Sequence, residues 1–155
     1  MKTSSTILFL TCTLFACSLT AGTTELKLKQ NGQIDFSEYR GKVVYLDFWA
    51  SWCIPCREAF PWMNDLNEQY DDDELVIIAV NLDTERADAE TFLEQVPANF
   101  EIAYDPDGKT ARAYELKGMP TSLLIDQRGK IAMTKIGFKY SETRKVESKI
   151  RELVR

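Results

Sequence analysis

Two stretches of the chain are almost wholly apolar. Val43-Val44-Tyr45-Leu46-Asp47-Phe48-Trp49 and Leu75-Val76-Ile77-Ile78-Ala79-Val80-Asn81 are short and rich in β-branched and aromatic residues, the pattern of strands buried on both faces. Between them the period changes. Phe60, Met63, Leu66 and Tyr70 recur at three- and four-residue spacing, which predicts a helix from about Ile54 to Tyr70, with Pro61 kinking it. Thr84 is placed to cap a second helix running to about Gln95, with Ala87, Phe92 and Val96 on its buried side. A short strand around Ile102, a short helix over Thr110–Tyr114, a strand at Ser122–Asp126, a turn at Gln127–Lys130 and a strand at Ile131–Phe138 follow. Ser141 is expected to cap a last helix to Val154, with Val146, Ile150 and Leu153 on one face. Residues 22–42 read as a lead-in of short strands and turns, marked by Asn31-Gly32 and Arg40-Gly41. Strands alternating with helices and ending in a hairpin plus helix predict an α/β fold: a central mixed sheet flanked by helices, with an N-terminal strand extension.

The first 21 residues follow a different rule. Lys2 is their only charged side chain, and an apolar run from Ile7 to Ala16 is too short to span a bilayer comfortably. They read as a signal peptide cleaved after Ala21, leaving residues 22–155 as one domain. Leu14-Phe15-Ala16-Cys17 also resembles a lipobox, in which the signal ends at Ala16 and Cys17 becomes the acylated first residue. An uncleaved anchor is the third reading. All three place the domain outside the cytoplasm, facing the periplasm or cell envelope, and the only membrane contact is through the anchor.

Composition then removes whole classes of chemistry. In 155 residues there is no histidine, so Ser-His-Asp and Cys-His catalysis and histidine-ligated metal or haem are excluded. A net charge of −5 argues against nucleic acid as a partner. Of four cysteines, Cys12 and Cys17 lie in the presequence, which leaves Cys53 and Cys56. Too few soft ligands remain for a zinc site, and Arg57 stands where c-type haem attachment needs histidine. A purely structural staple across so short a loop contributes about 2 kcal/mol. A redox-active pair is the better reading, and no metal or cofactor is expected.

The pair sits where a strand hands over to a helix. That places the Cys53 sulfur against free backbone N–H groups and the positive end of the helix dipole, which favour the attacking thiolate. Cys56, one turn on, is positioned to resolve a mixed disulfide. Pro55 removes one donor, so the Cys53 pKa is expected nearer ~7 than the ~3.5 of strong oxidants, with a reducing potential. Asp47 interrupts an apolar strand six residues earlier. Buried beneath the pair, its carboxyl would carry a raised pKa and accept the proton of Cys56; at a solvated edge it would do neither. Gly118-Met119-Pro120-Thr121 precedes a strand, and a cis Met119–Pro120 bond is one form of the special turn it suggests.

Asp47-Phe48-Trp49-Ala50-Ser51-Trp52-Cys53-Ile54-Pro55-Cys56, Pro61 and Gly118-Met119-Pro120-Thr121 together resemble the thioredoxin superfamily. Gly41-Lys42-Val43-Val44, Ala79-Val80-Asn81-Leu82-Asp83 and Leu124-Ile125-Asp126 with Gly129-Lys130 look like its exported TlpA/ResA-type thiol-disulfide oxidoreductases. The resemblance spans nearly all of residues 25–155. It implies a thioredoxin fold with nucleophilic Cys53, resolving Cys56 and cis-Pro120 facing the disulfide. Met119, beside Thr121, would pair its backbone with an extended substrate, and Trp52 would form part of an apolar rim. The implied partners are protein disulfide or dithiol clients and a membrane thiol electron donor, and the default state is a monomer. Many relatives of this type carry asparagine in place of Asp47, and some carry glutamate in place of Ala59. Both departures favour a general protein-disulfide reductase over the alternative, a dedicated thiol-reducing protein of cytochrome c maturation. A non-catalytic peptide-binding module and a peroxidase are the remaining readings; nothing resembles a peroxide-selective cysteine site.

Overall fold

Strand β1 (Val43–Trp49) is buried along its whole length and forms the middle of the molecule. Its neighbours are β2 (Leu75–Asn81), parallel to it, and β4 (Thr121–Ile125), antiparallel. Outside these lie β3 (Glu101–Tyr104), parallel to β2, and β5 (Ile131–Ile136), antiparallel to β4. The computed structural model describes residues 24–155, and its single mixed sheet has the order β3-β2-β1-β4-β5. The signal-peptide reading and Cys17 lie outside the described residues.

Alternation along β1 divides the core in two. Val43, Tyr45 and Trp49 face one cluster, with Phe60, Met63 and Leu66 of α1 (Ile54–Asn67), Phe92 of α2 (Arg86–Gln95) and Ile150 of α4 (Thr143–Leu153). Val44, Leu46 and Phe48 face the other, closed by Ile34, by Phe36 of a 3-10 turn (Phe36–Tyr39), and by Tyr114 and Leu116 following α3 (Lys109–Ala113). Trp49, Phe60, Phe92 and Phe100 interlock at centroid separations of 4.7–5.3 Å. Such pairs add about 0.5–1.5 kcal/mol each beyond burial. They fix α1 over the C-terminal end of β1.

The helix starts differ from the expectation. α2 begins at Arg86 behind Glu85, with no side-chain cap from Thr84. Ser141 falls inside a 3-10 turn (Tyr140–Glu142), and α4 begins only at Thr143. α1 stops at Asn67, three residues early, where the Asn67 amide donates to the Asn99 carbonyl at 2.9 Å. β5 ends at Ile136 because Gly137 takes φ 77° and donates its N–H to the Pro120 carbonyl. The lead-in contributes an isolated bridge between Leu28 and Ile34 and the 3-10 turn; among the described residues it adds no sixth strand.

Candidate functional site

Four residues separate the end of β1 from α1, and the last of them is Cys53. It is the N-cap of α1, with φ −85° and ψ 101°, and its Sγ accepts from the Cys56 amide at 3.3 Å. Pro55 occupies the first turn, where its missing N–H breaks no helical hydrogen bond. Cys53 and Cys56 are joined as a disulfide with Cα atoms 5.3 Å apart. Cys53 retains 5% of its surface and Cys56 none. Of the two, only Cys53 lines the surface groove beside it.

The turn before Cys53 is gripped from β2. Asp83, just past that strand and buried, accepts from the Ser51 amide and hydroxyl, both at 2.9 Å. It also accepts from the Asn81 side chain at 2.7 Å. This clamp carries no role in the reading of the sequence. The acidic residue two positions after Asn81, at the end of an apolar strand, was its only local signal.

Pairing of Phe48 with Thr121 brings the start of β4 beside the end of β1, so the preceding Met119–Pro120 bond reaches the active-site loop. That bond is cis. Beside it opens a groove of about 650 Å³ lined by Trp52, Cys53, Ile54, Leu82, Leu116 and Met119, with Lys117 as its one charged side chain. Trp52 and Ile54 are 69% and 76% exposed, an apolar rim presented to solvent. Thr121 is buried, and its hydroxyl donates to the Gly118 carbonyl at 2.6 Å; the side chain holds the turn and does not line the groove.

Asp47 lies on the α1-facing side of β1 with 1% of its surface exposed, not at a solvated edge. One carboxylate oxygen accepts from the Ser122 hydroxyl at 2.6 Å, and the other is buried without a partner. Burial pushes its pKa from 3.8 up to about 7, while the Ser122 hydrogen bond and the charge of Lys135 pull the other way. The neighbouring Tyr45 hydroxyl is held above its ordinary range by burial and by Asp47. Ser122 was missed because a hydroxyl in the apolar run Thr121–Ile125 acquires meaning only once the strand register is known. Among the described residues no group of three or more Cys, Asp or Glu is arranged to hold a metal. The site therefore combines an accessible sulfur at a helix N-terminus, a sealed second sulfur, a buried carboxyl titrating near neutrality and an apolar groove.

A mixed five-stranded sheet with a Cys-x-x-Cys at the first helix and a cis-proline beside it defines a thioredoxin-fold thiol-disulfide domain. The chain belongs to the AhpC/TSA family, whose model matches residues 19–134. It is similar to the thiol-disulfide oxidoreductase ResA of Bacillus thuringiensis subsp. konkukian, with 35% identity over 99 residues, 64% of this chain and 57% of that protein. The chain thus spans little more than half the length of that relative. A Chlorobium tepidum structure described as a thiol:disulfide interchange protein DsbE is 48% identical, with a TM-score of 0.75 over 77% of this chain and 85% of that one. StoA from Bacillus subtilis is 30% identical, with a TM-score of 0.61 over 70% and 84% of the two chains.

Proposed function

We propose that this chain is an exported protein-disulfide reductase working through Cys53 and Cys56. The observation that carries the proposal is the placement of Cys53 as N-cap of α1, its sulfur accepting an amide while Cys56 is sealed behind it. In the dithiol form, the Cys53 thiolate attacks one sulfur of a client disulfide; a mixed disulfide forms, and the client's other sulfur leaves as thiolate and takes up a proton. Cys56 then gives its proton to the Asp47 carboxylate and attacks the Cys53 sulfur. The second client sulfur leaves and takes the proton held on Asp47, which returns to carboxylate, and the Cys53–Cys56 bond closes. Two electrons and two protons have passed to the client, and a membrane dithiol donor restores the reduced pair.

The other residues serve the encounter. Met119 lines the groove with Cys53, next to the cis-Pro120, and an extended client segment can pair with its backbone. Trp52 and Ile54 offer apolar contact. Removal of residues 1–21, or acylation at Cys17, would deliver the domain to the cell envelope as a monomer.

Cys56→Ala tests the proposal by leaving the mixed disulfide unresolved. The variant is expected to accumulate a covalent adduct with insulin that dithiothreitol releases, while the wild type catalyses insulin reduction. No adduct, together with no reduction above the dithiothreitol background, would overturn it. Clients captured by the same variant from envelope extracts separate a general reductase from one dedicated to apocytochrome disulfides.

A further inference from the structure

Asp47, Ser122 and Lys135 stand abreast on three adjacent strands. Asp47 pairs with Ser122 in the β1–β4 register, and Ser122 with Lys135 in the β4–β5 register. Residues directly opposed across antiparallel strands share a face, so the three form one row beneath α1. The row begins at a sealed carboxylate, passes a hydroxyl 2.6 Å away, and ends at an ammonium whose side chain keeps 16% of its surface. Lys135 Nζ donates to the Gly137 carbonyl at 2.7 Å and pairs with the Glu142 carboxylate at 3.0 Å, whose side chain is 46% exposed. On the other side of Asp47 the register partner is Ala79, so the row is polar in one direction only.

We propose that Lys135 is a positioning residue for Asp47, acting alongside Ser122 and itself restrained by Glu142, so that this row sets how readily Asp47 takes the proton of the resolving thiol. The proposal rests on the reading that Asp47 accepts that proton. Lys135 lies two strands away, roughly 10 Å by ordinary strand spacing, and its charge favours the ionised carboxylate against the burial that opposes it. The groups bearing on Asp47 are the Tyr45 hydroxyl on its own strand, Ser122 from β4, and Lys135 from β5 with Glu142 behind it. From α4, Glu147 is engaged by the Trp62 indole at 3.0 Å. Lys135 is thus the cation in this surrounding set.

The test is an NMR titration of the Asp47 carboxyl in the reduced full-length chain, with the pH profile of insulin reduction measured alongside. Lys135→Met is expected to move the titration midpoint, and with it the acidic limb of the profile, upward by about one pH unit. Lys135→Arg restores both. Glu142→Gln, which frees the lysine charge, moves them downward by a few tenths of a unit. An unchanged midpoint in Lys135→Met, or shifts of the same sign in Lys135→Met and Glu142→Gln, overturns the proposal. Glu142→Gln changes an exposed side chain, so if Lys135→Met does not fold, an unmoved midpoint in Glu142→Gln overturns it alone. The titration needs no client: a chain that fails to reduce insulin yet shows these shifts refutes the reductase reading and leaves the row intact.

Discussion

Asp47 and Asp83 are both buried aspartates beside the same active-site loop, yet their surroundings differ in kind. Asp83 is ringed by donors: the Ser51 amide, the Ser51 hydroxyl and the Asn81 amide reach its two oxygens. Asp47 has the Ser122 hydroxyl on one oxygen and nothing on the other. A carboxylate supplied with donors holds the groups that reach it in place. A carboxyl starved of them is pushed toward protonation, and a proton that is nearly free to come and go is useful in chemistry. Burial alone does not distinguish the two roles; the count of donors does.

The largest effect that sharpens this contrast is on stability at Asp47. Its carboxyl ionises near 3.8 in the unfolded chain and at about 7 in the folded one. The folded state is therefore unpenalised below pH ~4, pays progressively as pH rises from 4 to 7, and carries a constant cost above, up to roughly 4 kcal/mol. Asp47→Asn removes that cost. Urea unfolding is expected to show the variant more stable at pH 8 by a few kcal/mol and level with the wild type at pH 4. A gain independent of pH would show that the carboxyl is not the source. The same variant should turn over insulin about 10²-fold more slowly at pH 7, the low end for loss of a general base.

Asp83→Ala has the opposite sign. It strands the Ser51 amide and the Asn81 side chain, and is expected to cost about 3 kcal/mol in denaturant unfolding. Faster hydrogen exchange at the Ser51 amide should accompany it. The smallest effect belongs to Ser51→Ala, which removes one hydroxyl donor and keeps the amide on Asp83; about 1 kcal/mol is expected by the same measurement. If Ser51→Ala cost as much as Asp83→Ala, the clamp would be a single hydroxyl contact and the contrast between the two carboxylates would narrow.

Much of this site was legible before any coordinates. β1 and β2 announce themselves as continuous apolar runs, and Asp47 stands out because a carboxylate there violates the pattern. Cys53 at a helix start follows from local spacing, which acts over a few residues; at Pro120 local chemistry left cis and trans both open, and the family resemblance pointed to the cis bond observed. Helix starts were less legible. Thr84 and Ser141 are good caps in isolation, but neither begins a helix, because Glu85, with extended backbone, takes the N-cap of α2 and a 3-10 turn at Tyr140–Glu142 precedes α4. The Asp47–Ser122–Lys135 row was invisible for a different reason. Its members are 75 and 13 positions apart, and only the pairing of β1, β4 and β5 makes them neighbours. Local chemistry is written in local sequence; adjacency across a sheet is written in register.

The sealing of Cys56 beneath Cys53 also gives the exchange a direction in time. On the proposed function, an incoming client would meet Cys53 first and would be released by Cys56 from within. A thiol reagent added to the reduced, folded chain would count one sulfur of this pair quickly and the second only after the helix end opens. The domain thus behaves toward its surroundings as a single-handed device, although it carries two electrons.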